Sequence, residues 1–438
     1  LIGQKKLQEA EQPLRKAIEL KSDFAEAHSA LGGVLGELGK LQEAEISIRK
    51  AIELNPGYAN AHSSLGDILK DQGKLEEAEL SQCKAIELNP DFAEAHCNLG
   101  AILRDLGRLQ AAEVSLNKAI ELKSDLVEAH CNLGIILRDL GKIKELTLLS
   151  RSTLEIPSIS QEYKLFSLLQ ITIANLLQQD FLGTFLHINK ANKLIGQGVI
   201  NTIKDEKNRN HISTFSKFIT SIYPLLQKEY NNPYSGIIPH FGESHCLSFS
   251  HQIVSISSEL KKIQPVLITG GKAWHFANAK NNQWKDSLNH QIKKHTYSDQ
   301  VFISFGEIDC REDEGILPYA IKNYKDISEV CKRTVKDYLD YMELTLSLNY
   351  AKRYYFGIPA PTRKKELTDK LDLKRVEMIR IYNSVLKKEV LSKGSYFLDV
   401  YTLTSKEDGE NNNTHMCDDN HLSPKCLSIL FENHLYEP

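Results

Sequence analysis

The sequence predicts a multidomain chain in which an all-α repeat region, a helical connector and an α/β region follow one another. Three observations lead to this prediction. A 34-residue repeat fills the first third, the period is lost after about residue 145, and from Gly236 short β-branched or aromatic runs alternate with helical patterns. The 438 residues are enough for roughly two to four domains. The predicted segments are residues 1–145, 146–235 and 236–438.

Composition excludes several classes of protein. The chain is 41% hydrophobic and 25% charged, which is ordinary for a globular protein, and its net charge of −3 favours neither nucleic acid nor an anionic membrane as partner. None of its eight cysteines forms a CxxC pair, so a reducing, cytoplasmic compartment is expected. No apolar run approaches the ~18–20 residues of a membrane span. The chain starts at Leu1, without Met, inside a helical pattern, so we expect a fragment. Whether a targeting segment precedes it stays an open question.

The repeat consists of two helical patterns in every 34 residues. The sequence KAIEL recurs at residues 16–20, 50–54, 84–88 and 118–122, and a histidine recurs with the same interval at His28, His62, His96 and His130. Together with AEAHSALG and GKLQEA, this pattern resembles the tetratricopeptide repeat (TPR). The resemblance implies a solenoid of paired helices, in which small residues such as Gly32 let the helices approach closely. The histidines are expected to pack between helices, because the interval places them in successive layers rather than around one metal ion.

Two rows of polar residues keep the same interval and predict a binding surface. Asn98 and Asn132 occupy the position that, in repeats resembling those of O-GlcNAc transferase, lines the concave face and holds a peptide backbone. Lys70, Arg104 and Arg138 form the second row. A groove for a protein or peptide partner and a merely solvated helix face are both open interpretations.

The connector, residues 146–235, shows helical spacing of apolar residues at 162–179 and 212–230. A charged loop is predicted between them at 201–210, and a turn at 231–236.

The α/β region contains five predicted strands, separated by helical patterns at 245–262, 319–349, 374–393 and 423–435. The strands are predicted at 236–241, 265–270, 300–306, 353–359 and 395–401. This alternation predicts a mostly parallel, five-stranded sheet covered by helices on both faces. Functional residues are then expected just beyond the carboxyl ends of the strands.

Four motifs at those positions carry a second resemblance. They are Gly242-Glu243-Ser244, Gly270-Gly271, FGEIDCR at 305–311 and CDDNHLSP at 417–424. Their order resembles that of the SGNH/GDSL hydrolase superfamily, which implies a flavodoxin-like α/β/α domain that uses no metal or cofactor. Ser244 matches the nucleophile, His421 the general base that takes its proton, and Asp418 the carboxylate that orients the base. Asp419 is the alternative carboxylate, and a simple helix cap is the alternative role for Ser244.

The resemblance also implies donors for the oxyanion of the reaction. The backbone N–H groups of Ser244 and of Gly271 or Gly270 are the expected donors. The third motif departs from the family pattern Gly-x-Asn-Asp, because Ile308 stands where Asn would donate. Arg311 or His245 is the expected substitute. Glu307, Asp309 and Arg311 form either a substrate-binding group or a structural ion-pair cluster.

The predicted function is that of a TPR-tethered serine ester hydrolase or O-acyltransferase. Its expected substrate is an O-acylated sugar or another small ester, and the repeats would bind a protein partner. The alternative is a non-catalytic adaptor, in which the repeats bind a partner and the α/β region is a silent recognition module.

Overall fold

The computed structural model describes residues 2–203, 206–226, 233–311, 315–362, 369–418 and 421–438. The chain divides into two compact units. One comprises Leu1–Leu137 with Ile156–Ser158, and the other comprises Arg138–Glu155 with Ile159–Pro438. None of the described helices has both the length and the apolarity that crossing a bilayer requires.

Nine helices form the described part of the repeat region. They are α1 (Ile2–Leu20), α2 (Ala25–Glu37), α3 (Leu41–Leu54), α4 (Ala59–Asp71), α5 (Leu75–Leu88), α6 (Ala93–Asp105), α7 (Leu109–Leu122), α8 (Val127–Asp139) and α9 (Ile143–Leu154). In the turn between α2 and α3, Gly39 has φ +77, its N–H bonds the carbonyl of Gly36, and the N–H of Lys40 bonds that of Leu35. This is a glycine-terminated helix end, in which glycine adopts the left-handed conformation without strain. Gly73 and Gly107 repeat it with φ +77 and +76.

The recurring histidines and glycines hold the helix pairs together. Ring nitrogens of His62 and His96 lie 3.0 and 3.1 Å from the carbonyl oxygens of Pro56 and Pro90, in the loop before each helix. These two histidines therefore bind the loop that precedes their helix, a contact that differs from the packing between helices expected of them. A Cβ atom on Gly100 would lie 2.5 Å from Cγ of Leu116, so the two helices could not approach as closely with a larger residue.

The connector is helical over most of its length. It contains α10 (Gln161–Leu177), α11 (Phe181–Gly196), a 3₁₀ turn at Val199–Thr202 and α12 (Glu206–Leu226). The loop predicted at 201–210 is wrong for residues 206–210, which begin α12; residues 204–205, like 231–232 of the predicted turn, lie outside the described residues. Apolar side chains of these helices pack against Leu247 and Leu267 of the α/β region, within one compact unit.

The α/β region, as far as the structure describes it, contains a seven-stranded mixed sheet. Its strands are β1 (Gly236–Gly242), β2 (Ile253–Ile256), β3 (Glu259–Leu267), β4 (Gln300–Ser304), β5 (Lys352–Phe356), β6 (Tyr396–Leu398) and β7 (Leu435–Tyr436), in the spatial order β2-β3-β1-β4-β5-β6-β7. The five predicted runs supply β1, β3, β4, β5 and β6, which pair in parallel. The prediction of five strands is wrong, because β2 and β7 add antiparallel edges.

Eight helices among the described residues accompany the sheet. They are α13 (His245–Ser248), α14 (Ala273–Ala277), α15 (Gln283–Lys294), α16 (Ile316–Lys322), α17 (Ile327–Leu346), α18 (Asp369–Ser392), α19 (Val400–Thr404) and α20 (Cys426–Asn433). The helix predicted at 245–262 is wrong. Only α13 is helical there, and the rest forms β2, the start of β3 and the tight turn between them, in which Ser257 and Ser258 have φ +51 and +67. Positive φ at both central residues gives a hairpin turn whose twist matches that of the strands.

Candidate active site

Ser244 lies just beyond the carboxyl end of β1, at the start of α13. The strand ends at Gly242, where a Cβ atom would overlap the hydroxyl of Ser304, so glycine lets β1 pack closely on β4. Ser244 occupies the N-cap position of α13, but its side chain caps no backbone N–H there. The helix-cap interpretation therefore fails to account for its hydroxyl. The residue is only 3% exposed.

A chain of hydrogen bonds joins Ser244, His421 and Asp418. His421 Nε2 lies 2.9 Å from Ser244 Oγ, although the two residues are 177 positions apart in the sequence. The other ring nitrogen, Nδ1, lies 2.9 and 2.8 Å from the two carboxylate oxygens of Asp418. A carboxylate only accepts hydrogen bonds, so Nδ1 carries a proton and, in the neutral ring, Nε2 is left to accept the serine proton. This is the arrangement in which a serine hydroxyl becomes nucleophilic.

Local backbone geometry fixes the ring of His421. Asp418 Oδ1 also accepts a hydrogen bond from the backbone N–H of His421, at 2.7 Å, and the N–H of Cys417 bonds the carbonyl of His421 at 2.9 Å. Asp418 thus holds both the ring and the backbone N–H of His421. Asp419, the alternative carboxylate, lies outside the described residues.

Phe218 of α12 covers the imidazole of His421. The two rings are stacked, with centroids 3.8 Å apart and an interplanar angle of 19°, and His421 is fully buried. Sequence reasoning missed Phe218, because its amphipathic helix carries no feature that distinguishes one apolar residue from the next.

Glu243 is a second acceptor for the serine proton. Ser244 Oγ lies 2.6 Å from Glu243 Oε2 as well as 2.9 Å from His421 Nε2. A hydroxyl has one proton to donate, so the carboxylate and the imidazole compete for it. The residue that directly precedes the candidate nucleophile therefore contacts its hydroxyl.

Arg311 is engaged by Glu307. Its Nε lies 3.2 Å from both carboxylate oxygens and its Nη2 lies 2.7 Å from Oε2. Burial alone would raise the pKa of Glu307, but the Arg311 cation outweighs it, and the pKa falls to about 2. Arg311 was expected to donate in place of the missing Asn. Its guanidinium is instead paired with Glu307, as in a structural ion pair. The side chain of Ile308 is not among the described ones.

The expected backbone donors differ in their surroundings. The N–H of Gly271 bonds the carbonyl of Ile268 at 3.0 Å, so it closes a turn and is not directed at an oxyanion. Gly270, with φ +68, makes that turn possible. His245 is buried, and its ring centroid lies 5.0 Å from that of His421. Of the two residues proposed to replace the Asn donor, Arg311 and His245, His245 lies beside His421.

A small enclosed cleft adjoins these residues. Its volume is about 20 Å³, and Glu243, His245, Gly271, Gly306 and Glu307 are among its lining residues. That space holds about one water molecule. Neither Ser244 nor His421 is among its lining residues, and an acyl group, which is larger than one water molecule, would enter only if the walls moved.

Asp309 has a structural role. Its carboxylate accepts hydrogen bonds from the backbone N–H groups of Ala273, at 2.7 Å, and Trp274, at 2.9 Å. Burial raises its pKa to about 7 in spite of these bonds. The residue ties the start of α14 to the loop after β4 through backbone hydrogen bonds, whereas the ion-pair interpretation offered for this cluster describes Glu307 and Arg311.

One group of described residues has the spacing of metal ligands. Atoms of Glu243, His245 and Glu307 all lie within 4.8 Å of one another. Within this group, Glu243 contacts Ser244 and Glu307 contacts Arg311. The fully buried Cys246 packs inward, among apolar residues.

The polar rows of the repeats are only partly available for binding. Asn98, Asn132 and Lys70 are half-buried, so neither asparagine is enclosed between layers. Arg104 is paired with Asp105 at 2.9 Å, and Arg138 is buried beside Asp139 at 3.2 Å. The arginines of this row therefore form local ion pairs.

The comparisons with known proteins concern the repeats. Family models of the tetratricopeptide repeat match residues 25–58, 48–79, 66–103 and 100–141, so this part of the chain consists of TPR repeats. None of the curated proteins compared with the chain matches it.

Several solved structures are similar to the chain. One is YrrB, a TPR protein with an unusual peptide-binding site, at 19% identity and TM-score 0.35, covering 46% of this chain and 97% of that one. PilF of Pseudomonas aeruginosa has 19% identity and TM-score 0.36, over 46% and 92% of the two chains. MamA of Desulfovibrio magneticus has 21% identity and TM-score 0.32, over 34% and 85%.

Proposed function

We propose that the α/β region is a serine-dependent ester hydrolase or O-acyltransferase of SGNH type. The observation that carries the proposal is the chain of hydrogen bonds from Ser244 through His421 to Asp418, built from two segments far apart in the sequence. The five parallel strands support it as well, because their order β3-β1-β4-β5-β6 corresponds to the 2-1-3-4-5 order of flavodoxin-like sheets. Ser244 follows the strand at which that order reverses.

The chemistry would proceed in two steps. His421 takes the proton of Ser244 as Oγ attacks the acyl carbonyl, and Asp418 stabilises the imidazolium that forms. The acyl group passes to Ser244, and the alcohol leaves with the proton from His421. In the second step, water or an acceptor alcohol attacks the acyl-serine, with His421 again as base. His245 is the described side chain best placed to donate to the oxyanion.

The repeats would bring this activity to a protein partner. TPR solenoids bind proteins or peptides on extended surfaces, and the half-buried Asn98 and Asn132 would hold a peptide backbone, on analogy with the repeats of O-GlcNAc transferase. We propose an O-acylated glycan or another small ester as the substrate, on analogy with the superfamily.

Kinetic assays on purified variants test the proposal. We expect Ser244→Ala and His421→Ala each to abolish hydrolysis of p-nitrophenyl acetate, because members of a triad act as a unit and their losses do not add. Asp418→Asn should cost less, since Asp418 orients the base. Ser248→Ala is the matched control, a buried serine on the same short helix. Parent-like turnover in Ser244→Ala would refute the proposal.

A second candidate function is a non-catalytic adaptor. The observation in its favour is that two expected oxyanion donors, Arg311 and the N–H of Gly271, have other partners. Loss of one such donor costs ~2.7–4 kcal/mol of transition-state stabilisation. Turnover by the parent separates the two functions, and an Arg311→Ala variant tests whether Arg311 contributes to it. A loss of ~10²–10³ in kcat would make Arg311 an oxyanion donor after all, whereas a parent enzyme without measurable turnover would favour the adaptor.

A further inference from the structure

A larger cleft lies on the α/β region, apart from the cleft beside Ser244. Its volume is about 730 Å³, within the ~300–1,000 Å³ usual for small-molecule sites. Its walls come from α14, from the segment between α16 and α17, and from the first turns of α17. Nothing in the proposed reaction accounts for it.

Three aromatic side chains, among those the structure describes, line this cleft. Trp274 and Tyr319 contact each other, with ring centroids 4.8 Å apart and an interplanar angle of 52°, and both are partly exposed. Tyr324 is 98% exposed. Lys325 Nζ lies over the Tyr319 ring, 5.3 Å from its centroid. Aromatic residues bury large apolar areas when they are covered, so Trp274 and Tyr324 offer ring faces to a ligand.

The polar lining combines hydrogen-bond donors and acceptors. Asp326, Glu329 and Asp337 supply acceptors, Lys325 and Arg333 supply donors, and Asn278 supplies both. Two cations and three carboxylates leave a net charge of −1 on the described lining. Such a lining repels a phosphate-rich polyanion, but it matches a neutral ligand that carries many hydroxyl groups.

We propose that this cleft binds a neutral oligosaccharide. A pyranose ring has apolar C–H faces that stack on aromatic rings and a rim of hydroxyl groups that both donate and accept hydrogen bonds, and the cleft offers a partner to each. Trp274 and Tyr324 would supply the stacking faces, and Asp326 and Arg333 would bond hydroxyl groups.

The position of the cleft connects it with the candidate nucleophile. Gly271 lines the small cleft beside Ser244, and Trp274, three residues further along the chain, lines the large one. Three peptide units span at most ~11 Å between Cα atoms. In the proposed arrangement, a saccharide in the large cleft would direct its O-acyl substituent toward the small one. This connection rests on the proposed function, whereas saccharide binding as such does not.

Binding is best measured with the full-length Ser244→Ala protein, which cannot turn over an ester in the proposed reaction. We would probe the fluorescently labelled protein against an array of neutral and anionic oligosaccharides, and then titrate the strongest neutral binder by calorimetry. We expect neutral glycans to bind, and Trp274→Ala and Tyr324→Ala each to weaken binding by tenfold or more. The matched control is Tyr234→Ala, another exposed tyrosine, which precedes β1 at the opposite end of the strands and should bind as the parent does.

Three results would overturn the inference. They are the absence of binding to any neutral glycan, binding to anionic glycans alone, and binding that neither aromatic substitution weakens. The side chain of Tyr324 is almost wholly exposed, so its variant tests the site even where Trp274→Ala fails to fold. A parent that binds neutral glycans through Trp274 but hydrolyses no ester would refute the proposed function and leave the saccharide site standing. Esterase activity without glycan binding would refute the saccharide site and leave the proposed function standing.

Discussion

At the scale of single residues, the serine proton is the central feature of the site. Its hydroxyl lies between His421 Nε2 and the carboxylate of Glu243, and only one of them can accept the proton at a time. While Glu243 holds it, His421 is not poised as a base. The balance between these two acceptors sets the fraction of molecules ready to react, so Glu243 tunes the proposed nucleophile without replacing its base.

A second residue-scale expectation concerns Glu307 and the pH dependence of stability. The pKa of Glu307 is about 2 in the folded chain, against ~4.3 in an unfolded chain. Burial raises this pKa, but the attraction of the Arg311 cation lowers it by more. Because the folded-state value is the lower one, the ionised carboxylate stabilises the fold fully above pH ~4.3. That contribution is lost as the pH falls toward 2. A difference of about two pKa units corresponds to about 3 kcal/mol.

We therefore expect Glu307→Gln to lower the free energy of unfolding by up to about 3 kcal/mol at pH 7, with a gap to the parent that closes between pH 4 and pH 2. Urea unfolding followed by tryptophan fluorescence measures it, because both tryptophans, Trp274 and Trp284, lie in the α/β region. The exposed Glu432 provides the control Glu432→Gln. A gap of the same size at every pH would show that the ion pair with Arg311 is not its cause.

At the scale of elements, the turns of the repeats can be tested with two glycines. Gly73 has φ +77 and open space where a Cβ atom would lie, and Gly33, inside α2, has equally open space there. We expect Gly73→Ala to destabilise by ~1–2 kcal/mol, through left-handed backbone strain alone. Gly33→Ala should stabilise by ~0.5–1 kcal/mol, because alanine loses less conformational freedom in a helix. Thermal melts followed by circular dichroism give both signs, and two shifts in the same direction would contradict this explanation.

The elements also show which parts of the structure a single sequence reveals. The repeat was predictable because the same motif occurs four times at intervals of 34 residues, and the five parallel strands because each is a short β-branched or aromatic run. Strand β2 was missed because its turn is Ser257-Ser258, without the Asn-Gly or Asp-Gly that signals a hairpin. The position of Ser244 beside His421 followed from the order of motifs, but the ion pair of Arg311 and the stacking of Phe218 depend on tertiary contacts that local patterns do not encode.

At the scale of the whole molecule, the second compact unit begins within the repeats. Ser287 Oγ and Gln291 Nε2 donate to the carbonyl of Asp139 at 2.9 and 3.2 Å, and Gln178 Nε2 donates to Thr147 Oγ1 at 2.8 Å. The last TPR helix, α9, thus belongs to the α/β unit. The predicted boundary at residue 145 falls inside this helix.

Two truncated chains test this division. We expect a chain of residues 138–438 to unfold in urea at a midpoint close to that of the α/β unit in the parent. A chain of residues 159–438 should be less stable by several kcal/mol, because buried donors on α15 lose their acceptor at ~1–3 kcal/mol each. Tryptophan fluorescence reports both midpoints. Equal stability of the two chains would show that α9 does not stabilise the α/β unit.

The central claim, that Ser244 is a nucleophile activated by His421, is tested most directly by active-site labelling. The full-length protein is incubated with a fluorophosphonate, and the adduct is located by mass spectrometry of the intact chain and of its peptides. We expect one adduct, on Ser244, which is absent from Ser244→Ala, strongly reduced in His421→Ala and unchanged in Ser248→Ala. A parent chain that takes up no label, or a Ser244→Ala chain that is labelled as fast as the parent, would contradict the claim.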